Sequence, residues 1–166
     1  MRNKGWIALG VLAIAQVFQP DRSVVPNDPG LDLVVITSPS KEVQDLLGTA
    51  CSDCHSDHST YPWYSYITPV NFWLQDHIDE GREEFNMSAW GGYKPKRQRH
   101  KAEEAVELIE AEEMPLPSYT WAHGDARLDA AQRKTLVDYF NGLKNAIPAV
   151  TGEGGGKGDG SGGGRN

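Results

Sequence analysis

The stretch Cys51-Ser52-Asp53-Cys54-His55 concentrates the reactive side chains of this sequence. Two thiols three positions apart on a turn or short helix can add to the two vinyl groups of one porphyrin. The histidine that follows is then held beneath the iron as proximal ligand, and C-x-x-C-H is the spacing for that attachment. The same residues admit other chemistry. A redox-active dithiol would use Cys51 and Cys54, but it calls for a βαβ setting and the flanks here read as helical. Zinc would take Cys51, Cys54, His55 and His58, all crowded into one short stretch with no further cysteine to relieve it. A plain Cys51 to Cys54 disulfide closes too small a loop to contribute much. One covalent haem c, with His55 as metal ligand, is the reading that uses both thiols and the histidine at their spacing.

A second axial ligand would come from elsewhere in the chain. Met114 lies between a charged helix end and the stiff run Pro115-Leu116-Pro117, so its sulfur is positioned by the backbone beside it. A histidine and methionine pair raises the potential of a haem iron, and Met114 is the candidate distal ligand. His77, His123 and His58 compete with it. The cluster Tyr61-Pro62-Trp63-Tyr64, together with Trp73, suits the wall of a porphyrin pocket, because aromatics bury large areas while tolerating a polar edge. Arg82 is placed to pair a propionate through its planar guanidinium.

These residues need helices to hold them. Ser40 is a good cap for a first helix whose stripe Val43, Leu46, Leu47 and Ala50 delivers Cys51. Thr68 and Pro69 open a second, with Val70, Trp73, Leu74, His77, Ile78, Gly81 and Phe85 on one face. After the loop Trp90-Gly91-Gly92-Tyr93, a third helix is expected from about Lys96 to Glu112, lined by Ala102, Ala105, Val106 and Ile109. Its basic residues sit at the start and its acidic ones at the end, against the macrodipole, so it must depend on packing. The cluster from Lys94 to Lys101 is a candidate docking patch for an acidic partner or a membrane surface. Asp129-Ala130-Ala131-Gln132 reads as a capping box for the last helix, which carries Leu136, Val137, Phe140 and Leu143. The expected fold is mostly α, about four helices wrapped around one haem.

Residues 1–19 read as a signal peptide or membrane anchor, with Arg2 and Lys4 ahead of the apolar stretch Trp6 to Phe18. That stretch is short for a full span, which needs about 20 apolar residues. Either role places the functional domain in the periplasm, soluble after cleavage or held at the inner membrane. Residues 20–39 are expected as an extended linker with one short apolar strand at Leu33 to Ile36, residues 40–147 as the haem-binding domain, and 148–166 as a glycine-rich tail too poor in apolar residues to fold. A net charge of −7 argues against a nucleic-acid partner.

The succession of motifs resembles the small cytochrome-c-like haem-binding domain of bacterial exported proteins. The residues that carry the resemblance, over roughly Pro20 to Gly142, are Cys51 to Ser56, Tyr61-Pro62-Trp63-Tyr64, Pro69, Trp73, Gly81-Arg82, Asn86, Ser88, Trp90, Glu113-Met114-Pro115, Tyr119, His123 and Leu128. The sequence departs from it at Leu116, where a second proline is expected. The resemblance implies a mostly α fold holding one covalent haem over His55, and fixes no reaction. Electron transfer to an unidentified redox partner through His55 and Met114 is the leading expectation. The alternatives are a peroxidase-like haem enzyme or ligand sensor with a displaceable distal ligand, and a zinc-binding structural domain.

Overall fold

The structure is a computed structural model that describes residues 2–148. The glycine-rich tail from 149 onward lies outside the described residues. Those described form eight α-helices and four short 3-10 turns, with no strand among them. The helices are α1 (Arg2–Ala15), α2 (Leu33–Thr37), α3 (Lys41–Ala50), α4 (Ser52–His55), α5 (Val70–Glu84), α6 (Pro95–Glu110), α7 (Pro117–Ala122) and α8 (Ala130–Ala146). The long helices expected from the periodicity, α3, α5, α6 and α8, are present. The expectation of about four falls short because α2, α4 and α7 are too brief to show a period.

Local chemistry fixes the ends of the long helices. The Ser40 hydroxyl accepts the Val43 N–H at the start of α3. Asp129 accepts the N–H groups of Ala131 and Gln132 while Gln132 reaches back to the Asp129 N–H, so the capping box forms in full. In α5, Pro69 occupies the cap position and the helix proper starts at Val70.

The core collects Leu46 and Leu47 of α3, Val106 and Ile109 of α6, Leu136 and Phe140 of α8, and Met87 and Trp90 from the 3-10 turn Met87–Gly92. The adverse charge order of α6 is answered by its neighbours. Arg99 donates to the Lys144 carbonyl near the end of α8 (2.9 Å), and Arg97 to the Glu83 carbonyl at the end of α5 (3.2 Å). Cations that oppose the dipole of their own helix thus sit at the negative ends of two others.

Residues 29–37 correct the expectation of a linker and a strand. Asp32 caps α2 by accepting the Val34 N–H (2.8 Å), and the helix stops at Ser38, whose φ of 44° is left-handed. Leu33 has no solvent exposure and belongs to the main core. The β-branched run has no partner edge to pair with, so capping and burial decide in favour of a helical turn. Gly91 makes room for this segment: a Cβ there would lie 2.6 Å from the Ile36 side chain and 3.1 Å from the Leu31 backbone. Leu33→Ala is therefore expected to cost about 2–5 kcal/mol in urea unfolding, whereas a linker residue would leave the midpoint unchanged.

Helix α1 differs from the rest. Trp6, Ile7, Leu9, Val11, Leu12 and Ile14 are all exposed. Among the described residues no helix is long and apolar enough to cross a membrane.

Candidate functional site

The C-x-x-C-H stretch is the hinge between two helices. Cys51 ends α3, its N–H reaching the Leu47 carbonyl (3.1 Å), and its φ of −126° breaks the helical path before α4 begins. The Cys51 carbonyl then accepts the N–H of His55 (3.0 Å). This one-turn helix is clasped by the end of α5. The Nδ1 atom of His55 lies 2.9 Å from both the Gly81 and the Phe85 carbonyls. The geometry requires a protonated Nδ1 that donates, which leaves Nε2 as the ring's free lone pair. Burial lowers the pKa of His55, with the bonds to Phe85 and Gly81 pulling the other way, so the imidazole is neutral near pH 7.

Backbones meet closely at this clasp. A Cβ on Gly81 would fall 2.8 Å from the Cys54 carbonyl oxygen and 3.2 Å from the Cys54 Cβ. Only glycine lets α5 come near enough for its carbonyls to hold His55.

Beside the clasp lies a cavity of about 470 Å³, within the range of cofactor sites. Cys51, Cys54 and His55 line it, as do Phe85, Leu108, Ile109, Met114, Tyr119, Leu128, Leu136 and Phe140. The wall is mostly apolar. Burial, and the proximity of Cys54, push the Cys51 thiol up to about 12. Burial and Asp53 push the Cys54 thiol up to about 11. Neither forms a disulfide.

Met114 reaches the cavity from the turn after α6, where the Leu108 carbonyl accepts both the Glu113 and Met114 N–H groups (2.9 and 3.1 Å). His77 also lines it, its Nδ1 bonded to the Trp73 carbonyl (2.8 Å). His123 does not. Its Nε2 meets the Tyr64 hydroxyl (3.1 Å) and its Nδ1 the Tyr119 carbonyl (3.1 Å), so both nitrogens are engaged outside the cavity. His58 is exposed and does not line it. The zinc alternative lacks a geometry, since no three His, Cys, Asp or Glu residues among those described could hold a metal ion.

The aromatic wall expected from Tyr61, Trp63, Tyr64 and Trp73 is elsewhere, for none of them lines the cavity. Tyr61 donates to Gln75 (3.0 Å), Tyr64 binds His123, Trp63 is 76% exposed, and Trp73 packs on His77 with ring centroids 4.5 Å apart. Proximity in sequence to the motif does not bring these rings to the cavity wall, because other partners hold them. Arg82 is likewise spent on structure: Nε donates to the Ser56 carbonyl and Nη2 to the Ser59 hydroxyl, both at 2.8 Å. The cation that lines the cavity among the described residues is Lys101, 10% exposed and paired with Glu104 (2.7 Å) and Glu84 (3.0 Å). Burial alone would lower the pKa of Lys101, but these two carboxylates more than offset it and the net shift is upward.

Asp53 and Tyr119 complete the site and were not singled out as site residues from sequence. The Tyr119 hydroxyl donates to Asp53 Oδ2 (2.8 Å), which moors α7 and the chain after Met114 to the motif. Asp53 stands inside the C-x-x-C spacing, and its capacity to accept was the available signal.

Fold and site together define a helical protein that holds a prosthetic group in an apolar cavity. A family model described as a haem-binding domain matches residues 10–142, and the chain belongs to that family. No curated protein and no solved structure matches it. The residues fit haem: the cavity is large enough and apolar, and a neutral imidazole with one nitrogen free stands at its wall.

Gly81→Ala is expected to force α5 away from Cys54. A destabilisation of about 1–3 kcal/mol in denaturant titration, accompanied by weakened haem retention, would mark the clasp.

Proposed function

We propose that this haem-binding protein is an extracytoplasmic, single-haem c-type electron carrier. The observation that carries the reading is the meeting of Cys51, Cys54, His55 and Met114 on the wall of one cavity, although Met114 is far from the motif in sequence. Cys51 and Cys54 hold the haem through two thioethers. His55 ligates through Nε2, its ring fixed by the two α5 carbonyls, the outer hydrogen bonding that orients a metal-bound histidine. Met114 supplies the second ligand. The haem, when bound, supplies one-electron exchange between ferrous and ferric iron. Phe85, Phe140 and the leucines keep water from the centre, and ligands on rigid supports keep reorganisation small. A partner protein then delivers or accepts the electron. Arg2, Lys4 and the apolar helix α1 support export, with the N-terminal segment serving as leader or anchor.

His77 supports a second ligand set, because it shares the cavity with Met114 and its bond to Trp73 leaves Nε2 unpartnered among the described residues. Protein matured in a host with haem-attachment machinery separates the readings. Met114→Ala is expected to abolish the sulfur-to-iron absorption and open the iron to carbon monoxide, while His77→Ala leaves the spectrum alone. The reverse pattern assigns His77. Rapid carbon monoxide binding by the unmodified protein would instead favour an enzyme or ligand sensor.

The covalent link has its own test. Haem should stay with the polypeptide through denaturation and acid extraction, and the double variant Cys51→Ala, Cys54→Ala should release it. Haem extracted freely from the unmodified chain would refute the attachment.

A further inference from the structure

We propose that the exposed face formed by Tyr66, Ile67, Val70 and Phe72, together with Val17 and Phe18, is a lipid-facing surface that seats the haem-binding body directly on a bilayer. The proposal rests on the reading that the N-terminal segment is retained as an anchor, and gives that anchor a defined partner surface.

The sequence excludes charge from this region. In a chain that is 23% charged, no acidic or basic side chain occurs from Thr60 to Gln75. The structure turns much of that stretch outward: Tyr66, Ile67, Val70 and Phe72 are exposed, and none of them serves the cavity. Val17 and Phe18 are exposed too. Large apolar side chains exposed around one stretch without charge mark an interaction site in a soluble body. Tyrosine, tryptophan and phenylalanine suit the bilayer interface, where an apolar ring with a polar edge finds both environments.

The hydrogen bonds tie the apolar N-terminal segment to this face, and that connection argues for lipid as the occupant. Gln16 exchanges two bonds with the Thr68 backbone, accepting its N–H (2.9 Å) and donating to its carbonyl (3.2 Å). The Phe18 carbonyl accepts the Thr68 hydroxyl (3.1 Å), and Asn71 donates to Gln19 (3.1 Å). Arg22 lies over the rings of Tyr61 and Tyr66, at 4.7 and 4.3 Å, and donates to the Ser65 carbonyl. The chain exit from α1 is therefore bolted to the aromatic face. No slack intervenes, because Gln16, Val17 and Phe18 continue the turn through bonds to Ala13, Ile14 and Ala15.

Length completes the argument. The 14 residues of α1 reach about 21 Å at 1.5 Å per residue, short of a hydrocarbon core about 30 Å thick. A short anchor with a rigid junction cannot let the body stand off from the membrane. The face around the junction is drawn into the interface, and that face is the aromatic one, whose nearest charge is the Arg22 guanidinium stacked on Tyr66. A second copy of the chain explains neither the apolar helix leading into the patch nor its exposure on all sides.

The test uses the full-length holoprotein reconstituted in phosphatidylcholine and phosphatidylglycerol vesicles, with a nitroxide attached at single substitutions Tyr66→Cys, Phe72→Cys, Ile7→Cys or Lys134→Cys. Lys134 is exposed on α8 and serves as the aqueous reference. An unchanged haem spectrum verifies the fold of each. Collision with oxygen relative to a water-soluble nickel chelate is expected to be several-fold higher at positions 7, 66 and 72 than at 134. Labels at 66 and 72 that match position 134, while position 7 stays in lipid, overturn the seating and leave the anchor standing. Labels at 66 and 72 shielded from both collision partners point to a protein contact and overturn it as well. A label at position 7 that reads as aqueous, or is lost with a cleaved leader, overturns the anchor and the seating together.

Discussion

The contact on which the rest of this structure depends is the clasp of His55 by the last turn of α5. One imidazole nitrogen is held by two backbone carbonyls, and that grip exists because a glycine at position 81 permits backbone to approach backbone. The carbonyls at the end of a helix need donors, and a histidine needs one nitrogen committed before the other can act as a defined ligand. Each requirement answers the other. The short helix α4, which carries Cys54 and His55 and follows directly on Cys51, is thereby fixed against α5, and the cavity lies beside the seam.

Around this seam the chain spends its polar side chains on bracing. Asp57 accepts from Asn27 and Asn86, Arg82 ties the loop after the motif, and Tyr119 returns the C-terminal half to Asp53. The cavity wall is mostly apolar, built on Phe85, Phe140 and aliphatic side chains, with the paired Lys101 and the motif's own side chains among them. A frame braced by polar atoms around a mostly apolar space suits a flat, greasy group bearing a metal at its centre.

Much of this was legible in the sequence because the governing signals are local. The cap at Ser40, the capping box at Asp129 and the apolar stripes of α3, α6 and α8 are short-range patterns, and each formed as read. Met114 and His55, distant in sequence, line one cavity. What failed was assignment by neighbourhood. Tyr61, Trp63 and Tyr64 follow the motif closely, yet do not line the cavity, since placement after a turn depends on hydrogen bonds such as that from Arg82 to Ser56. Leu33 read as strand or linker because β-branched propensity is visible in sequence while a cap plus a waiting glycine at position 91 is not. Lys101, Asp53 and Tyr119 became meaningful only when distant segments met.

The burial of the two thiols bears on the order of assembly. A thiol whose pKa is pushed to about 12 or 11 holds a vanishing share of thiolate near neutrality, and thiolate is the reactive form. On the proposed covalent reading, an arrangement in which Cys51 and Cys54 are more open to solvent than in this half-buried setting would favour bond formation. The same partial enclosure that shelters the sulfurs from stray oxidants would, on that reading, favour a macrocycle that arrives before the helices close.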